Sequence, residues 1–98
     1  MYIIKHLEEF NAWLNDIPDN TVRLKLARRL DKAARGLLGD VEPVGEGVSE
    51  MREHFGAGWR MYYVIRGNQL VIMLGGGNKS SQSKDIKTAK KRAKQLED

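Results

Sequence analysis

No cysteine occurs anywhere in this 98-residue chain. That excludes a disulfide framework, a thiol nucleophile and any zinc or iron–sulfur site held by thiolates. It fits a reducing compartment, and a cytoplasmic location is expected. Histidine is nearly as scarce. His6 and His54 stand alone, which argues against a zinc site. Long apolar runs are missing too. No stretch approaches the roughly 18 residues that suggest a membrane span. Residues 1–6 lack the apolar core and small-residue cleavage site of a signal peptide. The chain is therefore expected to be the working protein in full, with no membrane contact. Its length suits one domain over residues 1–98. Such a domain buries only roughly 60–65% of the surface that its unfolded chain exposes, so the core must be efficient.

Charge is present in quantity and unevenly placed. The total is 17 Lys and Arg against 13 Asp and Glu. Residues 1–50 hold 7 basic and 9 acidic side chains, a net of −2, whereas residues 51–98 hold 10 and 4, a net of +6. The second half is thus suited to an anionic partner, or carries a solvated basic surface.

Apolar periodicity divides the chain. Residues 2–5 are short, aromatic and β-branched, as in a strand. Leu7, Phe10, Leu14 and Ile17 then fall at helical spacing, and Pro18 stops that helix. Asp19, Asn20 and Thr21 can each cap a second helix, whose buried stripe is Val22, Leu26, Leu30, Ala33 and Leu37. Gly36 and Gly39 end it. The two helices are expected to form an antiparallel hairpin. Residues 40–47 read as a connector. The period then drops to two, giving strands at 48–55, 59–66 and 69–74, with turns at 56–58 and 67–68. Gly75, Gly76 and Gly77 are expected to break the sheet. Ser80 or Ser81 can cap a last helix with apolar positions Ile86, Ala89, Ala93 and Leu96. The order is β-α-α-β-β-β-α, an α+β domain with helices packed on an antiparallel sheet.

Strand alternation places Arg52 and His54 opposite Met51 and Phe55. On the next strand, Arg60, Tyr62 and Arg66 point away from the apolar set Trp59, Met61, Tyr63 and Ile65. Arg52, His54, Arg60 and Tyr62 can therefore share one patch, with Lys79 on the neighbouring loop. Such a patch suits a phosphate backbone with an accessible base. Each residue also has an ordinary role available. A sheet half-covered by helices shows its other face to water, where Arg and Tyr are common. Arg66, at a strand end, fits that solvated role, as do His54 and the Lys-rich last helix. Arg60, in mid-strand, fits a functional one. His6 reads as structural or solvated, and Trp13 and Trp59 as packing.

Several motifs fail. The run from Gly75 to Ser80 resembles a phosphate loop, but Asn78 stands where a glycine must precede the lysine. No carboxylate pair sits on the candidate face, so metal-dependent nuclease chemistry lacks its ligands. Asp85 suits the first turn of a helix better than a metal. No metal or cofactor is expected.

Four blocks carry a family likeness: EFNAWL at 9–14, GDVEPVGEGVSEMR at 39–52, GAGWRMYY at 56–63 and GGGNKSSQSKDI at 75–86. The last three, in this order, are specific. With them the chain resembles the RelE/ParE superfamily of toxins from type II toxin–antitoxin pairs, and most of all its HigB-like branch of addiction-module killer proteins. The likeness covers nearly the full length. It implies the RelE-like α+β fold.

It also implies a metal-free mRNA endoribonuclease associated with the ribosome, which inhibits translation. In that chemistry a 2′-hydroxyl attacks the adjacent phosphate and leaves a 2′,3′-cyclic phosphate. A base, an anion stabiliser and an acid are required. Matching the family motif, Arg60 would stabilise the phosphate, with Arg52 and Lys79 as further cations. His54 becomes a candidate general base or acid. Tyr62 would stack on a base or donate a proton. Gln82 would touch RNA or support its loop, and Lys84 would add a substrate contact. The implied partners are mRNA, the ribosome and a cognate antitoxin, often a helix-turn-helix protein, with operator DNA reached only through the antitoxin complex. One departure stands out. The tail, residues 95–98, lacks the tyrosine or histidine that ribosome-dependent members often supply there. It keeps open a ParE-like gyrase poison, which cuts nothing, and a binding module without catalysis.

Overall fold

Local rules account for most of the chain's breaks. Asp19 caps a helix over Asn20–Ala34, its side chain accepting from the Thr21 amide at 2.8 Å. The same helix closes at Gly36, whose φ of +94° permits the paired hydrogen bonds Gly36 N–H to Ala33 O and Leu37 N–H to Lys32 O. Leu37 thereby leaves the helix and is exposed, so it does not belong to the buried stripe.

The computed structural model describes residues 1–96. Its elements are β1 (Ile3–His6), α1 (Glu8–Asn15), α2 (Asn20–Ala34), β2 (Val41–Gly45), β3 (Val48–Arg52), β4 (Arg60–Arg66), β5 (Leu70–Gly77), a 3₁₀ turn over Lys79–Ser81, and α3 (Gln82–Gln95). The five strands form one sheet in the order β1-β5-β4-β3-β2. β1 lies parallel to β5, and every other pair is antiparallel.

The expected connector at 40–47 is largely a strand. Val41 and Val44 point to opposite faces of the sheet, and each packs against one of two cores. Pro43 is tolerated because β2 is an edge. A two-residue turn with Glu46 and Gly47 both at positive φ returns the chain to β3. β3 ends at Arg52, earlier than expected, so neither His54 nor Phe55 belongs to it.

The larger correction concerns the second face of the sheet. On the first face Met51, Met61, Tyr63, Val71 and Met73 meet Phe10, Leu26, Leu30 and Ala33 from α1 and α2. On the other, Val48, Tyr62, Val64, Ile72 and Leu74 meet Ala89 and Ala93 of α3, with Ile86 and Leu96 alongside. The expected open, basic face is thus covered along most of its length. Burying side chains of this size stabilises by about 1.5–3 kcal/mol each, which explains why α3 docks.

The three glycines continue β5 instead of breaking the sheet. Their missing side chains let both helix layers reach the strand. A Cβ on Gly76 would lie 2.4 Å from the Trp13 ring, and one on Gly75 would lie 2.6 Å from Arg92 Nη1. A Cβ on Gly77 would lie 1.8 Å from Asp85 Oδ2. Ser81 takes the N-cap position of α3, as expected, though its side chain makes no capping hydrogen bond, and Asn78 caps the preceding 3₁₀ turn, accepting from the Ser80 and Ser81 amides. We expect Gly76→Ala to destabilise the domain by about 1–3 kcal/mol through overpacking against Trp13. Urea unfolding measures this, and an unchanged midpoint would contradict the packing described.

Candidate functional site

The ends of β2, β3 and β4 lie level, and register sets the site. Asp40, immediately before β2, accepts the Arg52 amide on its carbonyl at 2.9 Å. Arg52 pairs with Arg60 across β3 and β4, and Arg60 pairs with Gly77 on β5. A short row of charges therefore crosses one end of the sheet, just where α3 begins.

Arg60 is 9% exposed. Its Nη1 donates to the Gly58 carbonyl at 2.6 Å, and its Nε is buried without a hydrogen-bond partner. A Cβ on Gly58 would lie 2.8 Å from Arg60 Nη1 and 3.3 Å from Lys79 Cβ. Gly58, at φ +74°, is thus the slot that lets Arg60 and Lys79 approach each other. The Lys79 amide donates to the Ala57 carbonyl at 3.2 Å and fixes the loop on this turn, while Lys79 itself is exposed.

Arg52 is held on the other side. Its Nη2 lies 3.1 Å from Asp40 Oδ1 and 3.7 Å from Glu42 Oε1. The second Asp40 oxygen lies 2.5 Å from His54 Nε2. His54 follows β3 and projects from the surface, its side chain 71% exposed. The hydrogen bonds from His54 and then Arg52 hold the Asp40 carboxyl below the usual carboxylate range. Asp40 raises the Arg52 guanidinium in return.

Other candidates lie elsewhere. Tyr62 is fully buried beneath α3, so it presents no ring face to a base. Its hydroxyl has no hydrogen bond of ordinary geometry. Burial first, then the neighbouring Glu50 carboxylate, raise its pKa. Gln82 points inward as well, its Nε2 donating to both oxygens of Glu50 at 3.1 and 3.2 Å. This contact ties the start of α3 to β3. Lys84 is exposed on α3 and lines a separate groove of roughly 220 Å³ with Trp13, Gly75, Gly76 and Arg92. Asp85 accepts from Ser81 Oγ at 2.5 Å in the first turn of α3. His6 bonds Asn11 at 2.8 Å and packs on Phe10. Arg66 donates to the Ala93 carbonyl at 3.2 Å. The tail residues Glu97 and Asp98 lie outside the described part. Among the described residues no three His, Asp or Glu side chains converge where a metal could sit. No helix there is long and apolar enough to cross a membrane.

Sequence reasoning missed three residues. Arg29, which lies on α2 outside the stripe that apolar spacing marks, anchors the candidate site. It donates to the carbonyls of Leu38 (3.0 Å), Asp40 (2.7 Å) and Arg52 (2.9 Å), and it pairs with Glu53. Asp40 was hidden in the presumed connector. Glu50, 2% exposed, sits mid-strand in β3, and its role appears only with α3 packed over it.

Two measurements check this geometry. Arg29→Met should cost about 2–4 kcal/mol in urea unfolding, because three carbonyls and the Glu53 carboxylate lose a charged donor. Asp40→Asn should lower the melting temperature at neutral pH. A carboxyl depressed in the folded state stabilises above its unfolded pKa, so the deficit should start to shrink as pH falls below about 4 and be lost once pH passes the lower folded-state pKa. A deficit that persists at low pH would contradict the ion pairs.

Comparison with known proteins places the molecule. The description "Phage derived protein Gp49-like" matches residues 12–96. An uncharacterized protein of Haemophilus influenzae is 38% identical over 93 residues, covering 95% of this chain and 94% of the relative. Among solved structures, a chain of the intact E. coli RelBE toxin–antitoxin complex superposes with a TM-score of 0.64 at 15% identity, covering 80% of this chain and 96% of the other. The α+β fold is therefore RelE-like, as expected; relative to the order read from the sequence, it gains edge strand β2 and sets β1 parallel to β5. By these matches the chain belongs to the Gp49-like family of phage-derived proteins.

Proposed function

We propose that the protein is the toxin of a type II toxin–antitoxin pair, of the HigB-like branch of the RelE/ParE superfamily. On this reading it cuts mRNA on the ribosome without a metal, and so inhibits translation. The observation that carries the proposal is the convergence of Arg52, Arg60 and Lys79 at one end of a RelE-like sheet. Three cations at a sheet end suit a phosphodiester whose charge grows in the transition state. Lys79 and Arg52 are the more accessible of the three and meet the phosphate from outside. Arg60 supports the same anion from beneath the Gly56–Gly58 turn.

In the proposed reaction the 2′-oxygen attacks phosphorus as a base takes its proton. The bond to the 5′-oxygen breaks, and an acid returns a proton to that leaving group. His54 is the exposed titratable group next to this end and serves as the acid or base. Tyr62 and Gln82 contribute by supporting the sheet and α3. Lys84 touches RNA only if the strand extends to the separate groove on α3. The partner is an antitoxin, a helix-turn-helix protein in this branch, which represses its operon with the toxin bound. Covering the cationic sheet end would neutralise the toxin.

Expression of the wild-type chain should arrest growth and leave mRNA cut on translating ribosomes. Arg60→Ala should retain the fold by circular dichroism and lose roughly 10²–10³-fold in cleavage rate. Growth arrest with intact mRNA and trapped double-strand DNA breaks would replace this reading with gyrase poisoning. No arrest at all would leave a binding module.

A further inference from the structure

Asp40 is a charged group of the site to which the proposed chemistry assigns no role. Asp40 splits its two carboxylate oxygens between the two candidate side chains on the outer edge of the row. Oδ1 takes Arg52 Nη2 at 3.1 Å and Oδ2 takes His54 Nε2 at 2.5 Å. Its own backbone is fixed as well. The Asp40 carbonyl accepts from the Arg52 amide at 2.9 Å and from Arg29 Nη2 at 2.7 Å. A carboxylate pinned at its main chain and bridging two side chains sets their relative position.

We infer that Asp40 is a positioning residue for RNA cleavage, orienting the His54 imidazole and the Arg52 guanidinium toward a single phosphodiester. The inference rests on the nuclease reading of this site. The chemistry comes from the acceptor character of a carboxylate. An imidazole nitrogen facing it must carry the hydrogen, so Nε2 of neutral His54 is the donor and Nδ1 is left as the atom that exchanges a proton. His54 projects into solvent from a segment outside any strand, and among the described residues Asp40 is the group that holds its ring. Arg52, drawn to Asp40 and Glu42, is kept on the outer side of Arg60, which separates the two like charges while leaving both beside the same surface. The charged and titratable groups facing Asp40 are Arg52, His54 and Arg29, with Glu42 sharing Arg52.

The test is a double-mutant cycle on the full chain with a synthetic RNA on translating ribosomes, joined to a carboxyl-carbon NMR titration of the free protein. Asp40→Ala should reduce kcat on the order of 10- to 100-fold with KM little changed, since misplacement of a reacting group costs about that much. Made in a chain already carrying His54→Ala and Arg52→Ala, it should cost almost nothing further, because it works through those two residues. The same loss in both backgrounds would show a merely structural effect and overturn the inference. In the titration, Asp40 should protonate below the usual carboxylate range and move back toward it in His54→Ala and in Arg52→Ala. An unmoved Asp40 titration in either variant would remove the bridging geometry and the inference with it. If the wild-type chain cuts no RNA, the nuclease reading falls and the catalytic part of the inference falls with it. The titration would still decide whether Asp40 holds the two side chains.

Discussion

The Arg29 guanidinium is the constraint on which the site's geometry depends. It rises from the middle of α2, almost wholly covered, and takes three backbone carbonyls and one carboxylate. Two of those carbonyls belong to Asp40 and Arg52. The positions of the charged row are therefore set by a helix on the opposite face of the sheet. Gly39 takes part in this, since a Cβ there would come within 3.0 Å of the guanidinium. A planar donor with five N–H groups suits a place where several carbonyls end together, and a lysine could not satisfy the same set. The arrangement ties α2, the start of β2 and the end of β3 into one unit.

The second constraint is that helices cover both faces of the sheet. The long strands β4 and β5 carry apolar side chains on both faces, which a sheet between two layers requires. The candidate charged row lies at a sheet end that these layers leave partly open, near the start of α3, where Arg52 and Lys79 keep access to solvent. The glycines of β5 serve this closure. They admit Trp13 from one side and Arg92 and Asp85 from the other, and β5 can pass between two helix layers as bare backbone. The phosphate-loop likeness of that segment is thus the by-product of a packing demand.

Much of this could be read from the residues, and the misses share a cause. Helical spacing located α1, α2 and α3, because each presents one apolar stripe. The Gly56–Gly58 and Gly67–Asn68 turns fell where their glycines predicted. β2 was missed since Pro43 and two glycines outweighed a five-residue strand that shows only Val41 and Val44 to the cores. The closed face was missed because Arg60 and Tyr62 were read as a polar set. Yet Val48, Val64, Ile72 and Leu74 share that face, and Ile86, Ala89, Ala93 and Leu96 on α3 match it. Pairing those two apolar sets would have predicted the cover and buried Tyr62. Arg52 and Arg60 come together because strand register pairs them, and Lys79 joins them through the Gly56–Gly58 turn, which holds its amide and leaves space for it. Lys84 falls away since helix rotation, invisible without the docking face, sets its direction. No local pattern marks Arg29, Asp40 or Glu50, whose roles arise from contacts far apart in sequence.

On the nuclease reading, the cations of the sheet end are unequal. Arg52 already shares its charge with Asp40 and Glu42, so it offers an approaching phosphate an oriented donor more than a strong field. Arg60 is nearly covered and held by the Gly58 carbonyl, so its attraction acts through low-dielectric surroundings at short range. Lys79 forms no ion pair among the described residues, and its ammonium faces solvent. It therefore dominates long-range capture of RNA, which salt screens within about 8–10 Å at ordinary ionic strength. Capture and catalysis thus fall to different residues: the flexible lysine gathers the anion, and the pinned arginines and Asp40-held His54 meet it in fixed geometry. The basic balance of the chain's second half supplies the first task, whereas the second needs the acidic Asp40 of the first half, and the site is made where the two halves meet.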